Sequence, residues 1–466
     1  PERIKVLNMA GCGARGQKSQ RGEKMELPVK EGSYVSHDIV TPPGAQAGSG
    51  HVDTTLGGKF QAGKAANYSV ANFGASVVYG LFNTALPEYL KAYGIPAWLI
   101  GLLANERSFV GAFAQPFIGR MSDRTRTSLG RRRPFFLVGV PLMSLSLLAL
   151  AFHPPFWLML GVMTIGAFFL AVAMDPYISL MADLFPAEHR GRVGGLVGLT
   201  TALGVIVFSL MAAFLWSSNE ALVFGIVIAI LLVSFAYTFF TVKEPAMLPH
   251  AEEKKAERVS LSGRAAAYSQ ELRRYPEAGK YVAALSMFWL GTGGVVPFVT
   301  LFGVEVLGAK NGQEFFLPLA FVVVSAIFSI PAGLLSDRLG KKRVLTMGLI
   351  VYGLGAVVGS QSTDLVQATI ALGIAGLGNA GTSSLNPLLT ELIPRKRTAE
   401  FIGLGSAVWS FVQPVGSVAA GLVVGLSGLF VSPHDTYRWA FIFAGCMVLL
   451  AALLLQRVRP ERAVQD

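Results

Sequence analysis

The chain is 466 residues long, 52% hydrophobic and only 14% charged, with a mean hydropathy of +0.53. So few polar side chains cannot cover a soluble surface of that size, which excludes an ordinary globular enzyme. The net charge of +11 does not indicate a nucleic-acid partner, because the basic residues sit in short clusters between apolar runs rather than along one face.

Residues 1–66 are rich in Gly, Ala, Ser, Lys and Glu, sustain no period, and are expected to form a disordered cytoplasmic tail. No apolar core of the kind that marks a secretory signal precedes residue 67. Apolar runs then follow at 67–90, 97–119, 135–153, 157–184, 193–216, 220–241, 279–304, 315–335, 343–360, 365–391, 400–428 and 437–456. Each is long enough to cross roughly 30 Å of hydrocarbon as a helix, and none shows the alternation of a barrel strand. The expected fold is therefore an all-α membrane protein of twelve spans, with halves at 67–241 and 279–456. A cytoplasmic linker at 242–278 joins them, and a tail at 457–466 follows. The linker carries Lys254, Lys255, Arg258, Arg264, Arg273 and Arg274 and cannot enter a membrane; its middle is expected to lie on the surface as a short amphipathic helix.

Loops after even-numbered spans hold most of the cations, including Arg120, Arg124, Arg126, Arg131 to Arg133, Arg190, Arg192, Arg338, Lys341 to Arg343 and Arg395 to Arg397. Loops after odd-numbered spans hold little beyond Lys91, Lys310 and Arg438. The positive-inside bias thus puts the first group, and both termini, on the cytoplasmic side of the inner or plasma membrane. Cys12 and Cys446 are the two cysteines, too few for a disulfide framework, and no nucleotide-binding or metal-spaced motif appears. No cofactor is expected.

The loop after span 2, Gly119-Arg-Met-Ser-Asp123-Arg124 running on to Gly130-Arg131-Arg-Arg-Pro134, returns after span 8 as Gly333-Leu-Leu-Ser-Asp337-Arg338-Leu-Gly340-Lys341-Lys-Arg343. Asp183-Leu-Phe-Pro186 with Arg190 after span 4 is matched by Glu391-Leu-Ile-Pro394 with Arg397 after span 10. Two matched landmarks imply two related six-helix halves. This pattern resembles the major facilitator superfamily. The first loop, preceded by Gln115-Pro116-Phe117-Ile118-Gly119, together with Asp175-Pro176-Tyr177-x-Ser179-Leu180, is similar to the glycoside-pentoside-hexuronide cation symporters and their relatives, the sucrose transporters. Where the sodium-coupled members carry two acids this chain has Gly111 and Gln115; their helix-4 acid falls near Met174, and the sucrose-branch arginine near Ile178. The resemblance therefore implies neither a sodium site nor sucrose. It does imply that Asp123 approaches the N-terminus of helix 11 in the opposite half and Asp337 that of helix 5. Such carboxylate-on-helix latches are worth ~0.3–2 kcal/mol.

Charges at mid-membrane cost at least ~2.5 kcal/mol each and call for a partner or a wet cavity. Three occur: Glu106 and Arg107 on helix 2 and Asp175 on helix 4. Counted from the expected cytoplasmic ends, they lie ~15–20 Å deep and can meet. Asp175 or Glu106 would carry the proton with Arg107 tuning it; the competing reading is a permanent Arg107–Asp175 pair holding two helices together. Substrate contacts are expected from Asn72, Tyr79 and Asn83 on helix 1, Gln115 on helix 2, Trp289 and Thr292 on helix 7, Asn379, Ser383 and Asn386 on helix 10, and Trp409 and Gln413 on helix 11. Amides and indoles suit a saccharide, although such residues also glue membrane helices at ~0.6 kcal/mol per hydrogen bond.

Arg124, Arg131, Arg338 and Lys341 are expected to tether the loops to Asp183, Glu188, Glu391 and Glu244 or to anionic lipid, with Arg190 and Arg397 completing the repeat. Setting topology is a sufficient role for Arg132, Arg133 and Lys342. Helix 7, with Gly291 to Gly294 and then Pro297, is the candidate outer gate.

The expected function is secondary transport of a small polar solute, a sugar or glycoside, with proton coupling, by a monomer contacting only membrane lipid, solute and protons. The alternatives are a uniporter or drug-type exporter of the same fold, or a non-transporting assembly factor. The last is suggested by Ile95-Pro96-Ala97-Trp98-Leu99 and the first loop, which resemble a pigment-protein assembly branch of photosynthetic bacteria.

Overall fold

A computed structural model describes residues 60–244, 272–394 and 398–460. The expected disordered tail, the amphipathic stretch of the linker and Arg397 lie outside the described residues, apart from the tail's last few positions. Those positions are helical from Ala62 onward.

The described chain is helical, with a lone bridge between Thr127 and Gly130 in place of any strand. Twelve spans follow the hydropathy reading. Helix 1 is Ala62–Gly80, a π turn at Leu81–Ala85, then Leu86–Lys91. Helix 2 is Ala97–Ala104 and Glu106–Arg124, interrupted at Asn105. Helices 3 to 6 are Pro134–Leu150, Phe156–Leu184, Ala187–Leu215 and Glu220–Thr241. Helix 7 is Pro276–Val295, a 3-10 turn at Val296–Phe298, then Val299–Glu305. Helices 8 and 9 are Phe316–Leu339 and Lys341–Ser360. Helix 10 is Leu365–Ala380, a 3-10 turn at Gly381–Ser384, then Leu385–Glu391; helices 11 and 12 are Thr398–Ser427 and Arg438–Gln456.

Nine of these helices are long and apolar enough to cross a membrane unaided. Helix 3 is short, and helices 1 and 2 are broken by the π turn and by Asn105. The boundaries depart most from expectation where polar residues extend a helix past the lipid. Helix 2 continues to Arg124 rather than ending near 119, and helix 5 begins at Ala187 rather than 193. Hydropathy measures hydrocarbon thickness, and a helix does not stop where the hydrocarbon does.

One buried core fills the first half and continues across the seam into the second, and another lies within the second half. In the first, Tyr68 and Tyr177 stack at 4.5 Å, and each hydroxyl donates to the other residue's carbonyl, locking helix 1 to helix 4. In the second, Phe288 and Phe321 pack around Tyr352, joining helices 7, 8 and 9.

Candidate functional site

The halves meet at the helix ends remote from the basic loops, the outer ends in the expected orientation. Lys91 at the end of helix 1 pairs with Glu305 at the end of helix 7 at 3.0 Å and donates to the Tyr437 hydroxyl at 3.1 Å. The Thr300 hydroxyl donates to the Thr84 carbonyl, so the 3-10-broken helix 7 touches the π turn of helix 1. The Asn105 amide donates to the Ser417 hydroxyl, which donates to the Gly293 carbonyl, tying helices 2, 11 and 7 together. Here the backbones are in contact: a Cβ at Gly101, Gly312 or Gly421 would collide with the carbonyl of Ser417, the carbonyl of Ala213 or the backbone of Ala97 and Trp98.

The inner ends differ. Gly111 and Gly119 on helix 2, Gly194, Gly195 and Gly198 on helix 5, Gly333 on helix 8 and Gly403 on helix 11 have nothing within 4 Å of where a Cβ would stand. The hydrogen bonds and ion pairs named above between the halves all lie at the outer ends, which fits a path open toward the basic loops.

Asp337 is exposed and makes no hydrogen bond or ion pair with the described residues, so its expected docking on helix 5 is not made in this conformation. Asp123 pairs instead with Arg132 at 3.1 Å and lies 3.9 Å from Arg131, both in its own half. Its carboxylate finds cations on the loop that follows helix 2. Arg124 and Arg338 are exposed and likewise make no pair with the described residues.

The other repeat landmarks form matched tethers inside each half. Arg131 makes a two-pronged contact with Asp183 at 2.9 Å, and its counterpart Lys341 meets Glu391 at 2.6 Å. Arg190 donates to the Ala182 and Phe185 carbonyls, closing the end of helix 4. Glu244 accepts the backbone N–H groups of Arg131, Arg132 and Arg133 at 2.6–2.8 Å, satisfying amides at the start of helix 3. Gly130 makes this possible: its φ is +108°, and a side chain there would strike the Glu244 carboxylate. Gly340 turns the matching corner at φ +92°. Arg132, Arg133 and Lys342 do more than set topology. Arg132 is buried against Asp183 and Ser122; Arg133 donates to the Phe239 carbonyl; Lys342 donates to the Gln456 and Val458 carbonyls.

The membrane-embedded charges do not form the expected Arg107–Asp175 pair. Glu106 accepts from Thr164 on helix 4, whereas Arg107, about 100° further round the helix, turns to helix 1. Arg107 donates to Asn83 at 3.1 Å and lies 4.7 Å from the Tyr79 ring centre. Asp175 is eleven residues beyond Thr164, ~16 Å further inward. The extension of helix 2 to Arg124 is the reason: it lifts Glu106 and Arg107 outward relative to Asp175. The Tyr79 ring lies beside the Arg107 guanidinium, at the level of helix 2's break rather than at that of Asp175. One terminal atom of each charged group, Glu106 Oε2, Arg107 Nη1 and Asp175 Oδ2, is buried without a hydrogen-bond partner.

The predicted substrate residues divide. Asn72, 6% exposed, donates to Thr200, Thr201 and the Val197 carbonyl; it fastens helix 1 to helix 5 and has no spare donor for a solute. Asn379 donates to Ser325 and fastens helix 10 to helix 8, and Thr292 bonds back to the Phe288 carbonyl. Trp289 and Trp409 stand 6.1 Å apart on helices 7 and 11, with Trp409 42% exposed. One turn on, Gln413 is 8% exposed with Oε1 unpartnered. Gln115, Ser383 and Asn386 are exposed. Sequence reasoning missed Asn105, Ser417, Thr84 and Thr300, and nothing but polarity within apolar runs marked them. Gly291, Gly293 and Gly294 pack against Ala444, Gln413 and Phe443.

The sequence matches the Major Facilitator Superfamily over residues 68–323 and 315–466. The chain belongs to the major facilitator superfamily. Its curated relatives include the multidrug resistance protein MdtG of Klebsiella pneumoniae, 24% identical over 84% of this chain and 94% of that one. Another is the isoprimeverose transporter of Lactiplantibacillus pentosus, 24% identical over 79% and 81%. Solved structures of similar fold include a mutant form of the nucleoside transporter NupG, with TM-score 0.66, 11% identity and coverage of 85% and 99%. A D-xylose-proton symporter gives TM-score 0.63, 15% identity and coverage of 85% and 97%. The chain is thus a multi-pass membrane transporter with the twelve-helix superfamily bundle in two pseudo-symmetric halves.

Proposed function

We propose that this chain moves a sugar or glycoside across the cytoplasmic membrane by alternating access, coupled to protons, as a monomer with both termini inside. The observation that carries the reading is the embedded set of Asp175, Tyr79 and Arg107. It combines a carboxylate oxygen and a guanidinium nitrogen buried without partners, with the Tyr79 ring 4.7 Å from the guanidinium. Atoms left unsatisfied at such depth favour a group that gains its partner only when a proton or solute arrives. The Trp289–Trp409 pair and the free Gln413 Oε1 offer a flat apolar face beside a hydrogen-bond acceptor, which suits a sugar ring. A relative named as an isoprimeverose transporter and a fold neighbour named as a D-xylose-proton symporter support the substrate class and the coupling.

The second reading is drug export, favoured by MdtG; the pigment-assembly alternative finds no support among these relatives. Proteoliposomes loaded with a pH indicator decide. Sugar-dependent proton movement that Asp175→Asn abolishes is expected. Proton movement indifferent to every sugar and to that substitution overturns the coupling, and transport that survives collapse of the gradient makes the chain a uniporter.

A further inference from the structure

Where helices 3 and 6 reach the inner surface, a cavity of about 610 Å³ is lined by Arg126, Arg131, Arg133, Lys243 and Glu244 together with the turn from Thr125 to Gly130. Its one carboxylate is already spent, since both Glu244 oxygens are taken by the three backbone amides. Lys243 is exposed and makes no hydrogen bond or ion pair with the described residues. Arg133 spreads its guanidinium 4.3 Å from the centre of the Phe239 ring, and its Nε is buried without a partner.

Phe239 also lines a second, apolar groove of about 140 Å³ between the same two helices, walled by Phe136, Val140, Leu232, Phe235 and Phe240. Leu137, also on its wall, and Phe240 expose large fractions of their surface outward, so the groove opens to the lipid side of the bundle. Arg133 therefore marks a junction, with a cation-lined cavity on one side and, through Phe239, an apolar groove on the other.

We propose that this crevice is a binding site for one anionic phospholipid of the inner leaflet. Its phosphate lies against Lys243, Arg126 and Arg133, and one acyl chain lies along the Phe136–Phe235–Phe240 groove. A soluble phosphate shares the headgroup chemistry, but it has no use for the apolar groove that begins beneath the same arginine. The lipid would brace the Gly130–Glu244 corner and the foot of helix 6, where the chain leaves the first half.

The test uses the purified transporter in detergent, titrated with phosphatidylglycerol, phosphatidylcholine or inorganic phosphate, with bound lipid counted by native mass spectrometry. Phosphatidylglycerol is expected to bind at least about ten-fold more tightly than phosphatidylcholine. Each of Lys243→Gln and Arg126→Gln should lower that affinity about five-fold. Ala236→Trp, at an exposed position that lines the groove, should weaken phosphatidylglycerol binding while leaving the fold intact. Equal binding of the two lipids overturns the proposal, as does full phosphatidylglycerol affinity in the charge variants. So does complete competition by millimolar phosphate together with indifference to Ala236→Trp, which would reveal a soluble-anion site.

Discussion

The Asn105 amide donates to the Ser417 hydroxyl at 2.7 Å across the seam between the halves, and Ser417 passes the bond on to the Gly293 carbonyl at 2.6 Å. All three residues are buried, so removing the middle one strands a donor and an acceptor, a loss of ~1–3 kcal/mol each. Ser417→Ala is expected to loosen the outer seam, seen as a longer distance between spin labels at Ser218 and Lys310, on outer loops of opposite halves. An unchanged distance distribution would show that the seam does not depend on this relay.

At the inner surface, Gly130→Ala should lower the unfolding temperature more than an ordinary surface substitution. It meets both an unfavourable φ of +108° and the Glu244 carboxylate, and strain of this kind costs ~1–3 kcal/mol. Glu244→Ala, which leaves three amides unanswered, should have a comparable effect, and the double variant less than the sum because one corner is lost in both cases. Thermal unfolding in detergent checks all three.

Lys91 gives the outer seam a pH limit. Burial works against its ammonium, but the Tyr437 hydroxyl and the Glu305 carboxylate outweigh that and hold it charged above the usual lysine value of 10.5. The sign follows: the pair contributes fully below the usual lysine value and is lost as pH rises through the higher folded value. The Ser218–Lys310 label distance should stay constant from about pH 6 to pH 9 and lengthen only in strong alkali, while Lys91→Met lengthens it throughout. Because the pair is about one-third exposed, its contribution is modest. Widening that begins near neutrality would point to another group.

Trp409 and Asn72 separate solute contact from helix glue. Trp409→Ala should weaken sugar binding about ten-fold, ~1.4 kcal/mol, with little change in unfolding temperature. Asn72→Ala should do the reverse, because its three acceptors all lie on helix 5. Counterflow affinity and unfolding temperature, measured on both variants, check the pair.

The fold was largely legible because lipid imposes a length and a polarity on each span, and the repeated Gly-x3-Asp-Arg loop exposed the duplication. The loop tethers were half legible: Arg131 with Asp183 and Lys341 with Glu391 follow from opposite charges at matched places. Glu244 capping a helix through backbone amides does not, since amides leave no trace in a sequence. The embedded site was read least well. A five-residue error in the end of helix 2 moved Arg107 by ~7–8 Å along its axis and made a pairing with Asp175 look reachable. Side-chain type named Asn72 and Asn379 as solute contacts, but only packing tells that each amide is already committed to a neighbouring helix.

Helices 1 and 7 arrive at the outer seam already interrupted, by a π turn at Leu81–Ala85 and a 3-10 turn at Val296–Phe298, and the two interruptions stand against each other through Thr84 and Thr300. An unbroken rod can swing only as a whole, dragging its far end along. A rod with a built-in joint can tip its last turns while the remainder stays clamped in its own bundle, and two joints placed face to face can tip together. Both breaks thus fall where the halves touch, while the tyrosine lock of helices 1 and 4 sits in the unbroken stretches Ala62–Gly80 and Phe156–Leu184.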